Sequence, residues 1–165
     1  MMLIVKHAVY RWLSYTVCSY FLLLFQLSVA GRIAIAGVVP FLPPLLLGCL
    51  LTFEQGPAAA VYALLLGSWC DTYAHSVLLY TLLYPAAALL VMRAAGVFAK
   101  PSILTALMLA AGVAVAGQLL YSCFFLLLPA RAGWAALWPA IPAELLYTLC
   151  LLPFVYVLFW RINRR

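Results

Sequence analysis

A chain of 165 residues that is 70% hydrophobic and 7% charged, with a mean hydropathy of +1.20, lies outside the range of water-soluble domains, in which about a quarter of residues are charged. Its net charge of +6 does not point to nucleic acid, because the basic residues stand singly or in short clusters at the ends of apolar stretches. What remains is an all-α, polytopic membrane helix bundle that forms one integral membrane domain over residues 1–165.

The first predicted span runs from Trp12 to Ala30. Lys6 and Arg11 followed by Leu13 to Leu27 and then Ser28-Val29-Ala30 imitate a cleavable signal peptide. The apolar run is too long for that, and another apolar stretch follows at once, so an uncleaved span is expected. The second span, Ile33 to Phe53, carries Pro40, Pro43 and Pro44, which remove backbone donors and predict a kink or break in that segment, a kinked helix being expected. Glu54-Gln55-Gly56-Pro57 reads as a turn, with Glu54 a solvated loop residue.

Pro57 to Cys70 and Ser76 to Met92 are short for spans. They predict either a tight helical hairpin around Asp71-Thr72-Tyr73-Ala74-His75 or a re-entrant segment. In the fifth span, Ser102 to Leu128, Ala106, Ala110 and Ala114 recur every four residues, flanked by Gly112 with Ala116 and Val113 with Gly117. Small residues on a helix face allow close backbone approach, so this span is expected in the bundle centre or against another membrane protein. The sixth span runs from Trp134 to Trp160, and Pro139 and Pro142 can delay the start of its helix.

Six spans with both ends in the cytoplasm put Lys6, Arg11, Arg93, Lys100, Arg161, Arg164 and Arg165 inside and only Arg32 and Arg131 outside, which satisfies the positive-inside rule. Five spans would make the basic ends oppose each other. Trp12, Trp69, Trp134, Trp138 and Trp160 all fall near predicted span ends, where an indole buries its ring and keeps its N–H wet.

Only three acids are present, Glu54, Asp71 and Glu144, and a carboxylate at membrane depth is a functional candidate because its desolvation is costly. Asp71 and His75 are four apart and would share a helix face. Even with Cys70 beside them they make a poor metal site, so a polar hinge or inter-helix contact is the favoured reading. If the last helix begins at Pro142, Glu144 lies in its first turn, where the helix dipole favours a carboxylate. Gln26, Gln118 and Ser122 can hydrogen-bond between helices, each contributing about 0.6 kcal/mol. Cys18, Cys49, Cys70, Cys123 and Cys150 form an odd set without a CxxC pair and read as small buried apolar residues. No GxSxG, HExxH, phosphate loop or facing carboxylate pair occurs, so neither an enzyme nor a cofactor or metal site is expected.

Gly67-Ser68-Trp69-Cys70-Asp71, the polar turn Thr72 to Ser76 and the span Val77 to Met92 ending at Arg93 resemble the bacterial rod-shape-determining MreD family. Trp138-Pro139-Ala140-Ile141-Pro142, continuing through Thr148 and Pro153 to Arg161-Ile162-Asn163-Arg164-Arg165, resembles that family's last helix, with its proline entry, mid-helix polar residue, second proline and basic tail. The chain departs from the family at Tyr73-Ala74-His75, where a glycine-bearing turn is usual.

The resemblance implies a non-enzymatic scaffold of the cell-elongation, peptidoglycan-synthesising machinery in the inner membrane. Its implied partners are a bitopic MreC-like protein, a RodA-like glycosyltransferase with its transpeptidase, MreB filaments and membrane lipids. Gly67, Asp71, His75, Pro142, Glu144 and Thr148 are the candidate structural or partner-contact residues. The rival is the substrate-binding membrane subunit of an energy-coupling-factor vitamin importer. That function needs a defined polar pocket, whereas Asp71, His75, Gln118 and Glu144 look dispersed along the chain.

Overall fold

Long apolar runs fold as helices because every backbone hydrogen bond then closes within the segment. The computed structural model of the chain describes residues 2–28, 32, 39–54, 56–74, 76, 78–94, 101–127 and 140–164, and its regular elements there are helices. In chain order they are α1 (Met2–Ser28), α2 (Leu42–Phe53), α3 (Pro57–Ala74), α4 (Leu79–Ala94), α5 (Ile103–Leu127), α6 (Ala140–Cys150) and α7 (Leu152–Arg164).

The core forms around α2. All of its residues from Leu42 to Thr52 are buried, and it packs on α1, α3, α5 and α7. Gly48 makes the α2–α5 crossing possible, because a methyl group there would collide with the backbone of Ala110. Ala106 and Ala110 are buried, so the small-residue stripe of the fifth predicted span faces the bundle interior. Helices α3 and α4 form an antiparallel hairpin, and α4 also packs on α5. On the other side Tyr15 of α1 stacks on Phe159 of α7, their ring centroids 5.1 Å apart. The buried hydroxyls of Ser19 and Tyr62 bond α1 to α3.

Several sequence expectations need correction. Pro43 and Pro44 do not kink a helix; they open α2, in the first turn, where an N–H has no intrahelical acceptor. The stretch 33–38, the first part of the second predicted span, lies outside the described residues. Glu54 is no solvated loop residue, since its carboxylate pairs with the Arg11 guanidinium at 2.5 Å. Arg11 also donates to the Asn163 Oδ1 at 3.5 Å, so the start of α1 and the ends of α2 and α7 meet at one pole.

The last predicted span is two helices bent by 46° at Leu151. Pro153 explains the break, because it offers no N–H to the Leu149 carbonyl and its ring crowds the preceding turn. By length and composition, one helix among the described residues is suited to cross a membrane, Ile103–Cys123. The bent pair Pro142–Cys150 and Leu152–Arg164 makes a second if it is one broken span. At 12 residues, α2 is about 18 Å long, short of the roughly 30 Å hydrocarbon layer.

Candidate functional site

At the pole opposite Arg11, helix ends that begin inside the bundle need hydrogen-bond partners, since a helix leaves its first four N–H groups without intrahelical acceptors. Asp71 supplies them for α4. It sits in the last turn of α3, which continues to Ala74 instead of ending in the predicted turn at Asp71. Its Oδ1 accepts from the Tyr80 N–H at 2.9 Å and the Ser76 hydroxyl at 2.5 Å. Its Oδ2 accepts from the Thr81 N–H at 2.8 Å and the Thr81 hydroxyl at 2.6 Å. Four donors and no acceptor face it, so the cage fits the ionised carboxylate.

This is an N-cap delivered by another helix, because the second and third N–H groups of α4 are the ones a local cap would take. Gly67, one turn before Asp71, permits the approach. A methyl group there would lie 2.7 Å from the Thr81 Cα and closer still to the Tyr80 carbonyl. The Gly-x-x-x-Asp spacing thus has one physical purpose: close contact at the glycine, capping at the aspartate. The chain enters α4 through Leu78, whose φ of +59° is left-handed, a conformation that brings the Cβ close to the following carbonyl oxygen.

The start of α2 is satisfied in the same manner. The Phe41 N–H donates to the Thr148 Oγ1 at 2.9 Å, and the Leu42 N–H donates to the Gln26 Oε1 at 2.9 Å. Pro43 and Pro44 carry no N–H, so all four positions are resolved. Thr148 is buried, and its role as an inter-helix acceptor explains a polar residue in the middle of an apolar helix.

Between these two caps lies a part-open cavity of about 240 Å³ lined by, among others, Tyr80, Tyr84, Gln118, Tyr121, Glu144 and Thr148. Tyr80 belongs to both features, with its N–H on Asp71 and its ring in the cavity wall. That ring lies 5.8 Å from Tyr84 and 6.4 Å from Tyr121, centroid to centroid. Helix α6 begins at Ala140, two residues before Pro142, so Glu144 falls beyond the first turn and faces the cavity instead of capping its own helix.

Of the residues singled out from sequence, Gly67 and Asp71 act together, and Glu144 and Thr148 share the cavity wall one helical turn apart. Pro142 is exposed at the start of α6, away from both. His75 lies outside the described residues. Gln118 and Glu144, dispersed in sequence, both line the cavity. Ser76, Thr81 and the three tyrosines went unnoticed in the sequence. A hydroxyl residue at each side of the α3–α4 turn was the available signal for the first two. Among the described residues no three His, Cys, Asp or Glu side chains converge on a metal position.

Fold and site define an all-helical protein whose described bundle carries a helix long enough to cross a membrane. Compared with protein-family models, curated proteins and solved structures, the chain finds no match.

Proposed function

We propose that the chain is a non-enzymatic, multi-pass scaffold of the bacterial inner membrane, MreD-like, that holds an MreC-like bitopic protein beside the RodA-like glycosyltransferase and its transpeptidase. The observation that carries this reading is the Gly67–Asp71 lock. The motif on which the family resemblance rests coincides with the contact that fixes the α3–α4 hairpin. A rigid hairpin suits a protein whose task is to present helix faces. Phe21, Leu82, Leu104, Leu146 and Phe154 are 64–70% exposed, which suits lipid or a partner helix better than water.

In this reading six apolar stretches cross the bilayer, with residues 2–11 and 161–165 on the cytoplasmic face. The Arg11–Glu54–Asn163 cluster marks that face and the Asp71 cage the outer one. The experiment is deletion of the gene in a rod-shaped bacterium that carries it, followed by complementation. Cells are expected to round up, and MreC is expected to co-purify with the wild-type chain. Normal rods together with no MreC recovery would refute the scaffold.

A second reading is favoured by one observation, the cavity at Gln118 and Glu144. An importer subunit requires such a pocket. Vitamin binding by the purified chain, with rod shape unaffected by its loss, would reverse the order of the two readings.

A further inference from the structure

We propose that the cavity between α4, α5 and α6 binds an organic ammonium group, with Glu144 as its counter-ion and the faces of Tyr80, Tyr84 and Tyr121 as its walls. The three acids of the chain set the argument. Glu54 is paired with Arg11 and Asp71 is held by four donors, but among the described residues no basic group pairs with Glu144, which lines the cavity. A half-buried carboxylate in an apolar bundle is accommodated by taking a proton or by a partner of opposite charge. A cationic ligand supplies one.

The walls select the kind of cation. Tyrosine faces attract an ammonium within about 6 Å of the ring centroid, and Tyr80 has Tyr84 and Tyr121 clustered on it. A hard divalent ion such as Ca²⁺ or Mg²⁺ would require about six oxygen ligands, which one carboxylate cannot provide, and among the described residues no His or Cys joins Glu144 to make a transition-metal site. Charge disfavours an anion: Glu144 lines the cavity and Asp71 binds the Tyr80 N–H beside it, while Arg11 is committed to Glu54 at the opposite pole. The volume of about 240 Å³ falls below the roughly 300–1,000 Å³ of drug-sized sites, so it suits a headgroup-sized ligand. Gln118 and the Thr148 hydroxyl remain as polar groups to orient it.

The same chemistry has two sources, the ethanolamine headgroup of a phospholipid and a free organic cation. The binding does not depend on the scaffold reading; only the membrane face from which the ligand enters does.

The test uses the full chain in detergent micelles, with choline chloride as probe and 3,3-dimethyl-1-butanol, its neutral carbon isostere, as control at matched ionic strength. Choline is expected to raise the melting temperature saturably, the isostere is not, and Glu144→Gln is expected to weaken choline binding about tenfold or more. In nanodiscs, weaker choline binding with phosphatidylethanolamine than with phosphatidylglycerol assigns the site to the lipid headgroup; equal binding assigns it to a free cation. Isostere binding as tight as choline, no response to choline together with no retained phosphatidylethanolamine, or Glu144→Gln binding choline like the wild type would each overturn the proposal. Should Glu144→Gln fail to fold, the choline–isostere comparison on the wild type decides alone.

Discussion

Asp71 and Glu54 are both carboxylates in ionic or charge-assisted contacts, yet their removal should have unequal effects. Asp71→Ala strands the N–H groups of Tyr80 and Thr81 at a buried helix end, and each hydrogen bond to a charged group contributes about 1.5–3 kcal/mol. Loss of about 3 kcal/mol or more is expected, read as a clear fall in melting temperature in detergent. Glu54→Gln removes an ion pair whose Arg11 side chain is 36% exposed, so solvent screening limits the loss to about 1 kcal/mol. Equal losses in the two variants would contradict the capping role of Asp71. Leu78 offers a gain in place of a loss. Its left-handed φ brings the Cβ close to the following carbonyl oxygen at a cost of about 1 kcal/mol and the side chain is exposed, so Leu78→Gly should melt at a higher temperature.

At the scale of helices, the closest contacts are made by two glycines, Gly48 on Ala110 and Gly67 on Tyr80 and Thr81. Gly67→Ala forces α3 and α4 apart and is expected to lose about 1–3 kcal/mol. It should also be less than additive with Asp71→Ala, because both undo one contact; a double-mutant cycle in thermal unfolding measures this, and strict additivity would refute the shared lock. The sequence disclosed the α3–α4 hairpin and the small-residue face of α5, since hydropathy and side-chain size are local properties, but it took the last span as one helix where Pro153 breaks it. It misassigned Glu54 and the start of α6 for a single physical reason. Whether a polar residue is solvated, capped or paired depends on what packs on it from far along the chain, and Arg11 lies 43 residues from Glu54. The cavity was illegible for the same reason: Tyr80, Gln118 and Glu144 come from three helices, and no local spacing relates them.

For the whole molecule, the six-span reading makes a sharp labelling prediction. With the natural cysteines replaced, Arg32→Cys and Arg131→Cys should react with a membrane-impermeant maleimide in intact cells. Lys6→Cys and Arg165→Cys should react only after the membrane is opened. Labelling of Lys6→Cys in intact cells would invert the topology, and labelling of Arg131→Cys and Arg165→Cys from the same side would remove the last span.

The start of α2 also bears on how the chain is made. Its Phe41 N–H depends on Thr148, 107 residues downstream, so when α2 leaves the ribosome its acceptor has not yet been synthesised. In the six-span reading the central helix then enters the bilayer with an unmet donor, an expensive state in hydrocarbon, until the final helices arrive. On that reading, a nascent chain that stalls before residue 140 is left with an open helix end, while a finished one conceals it.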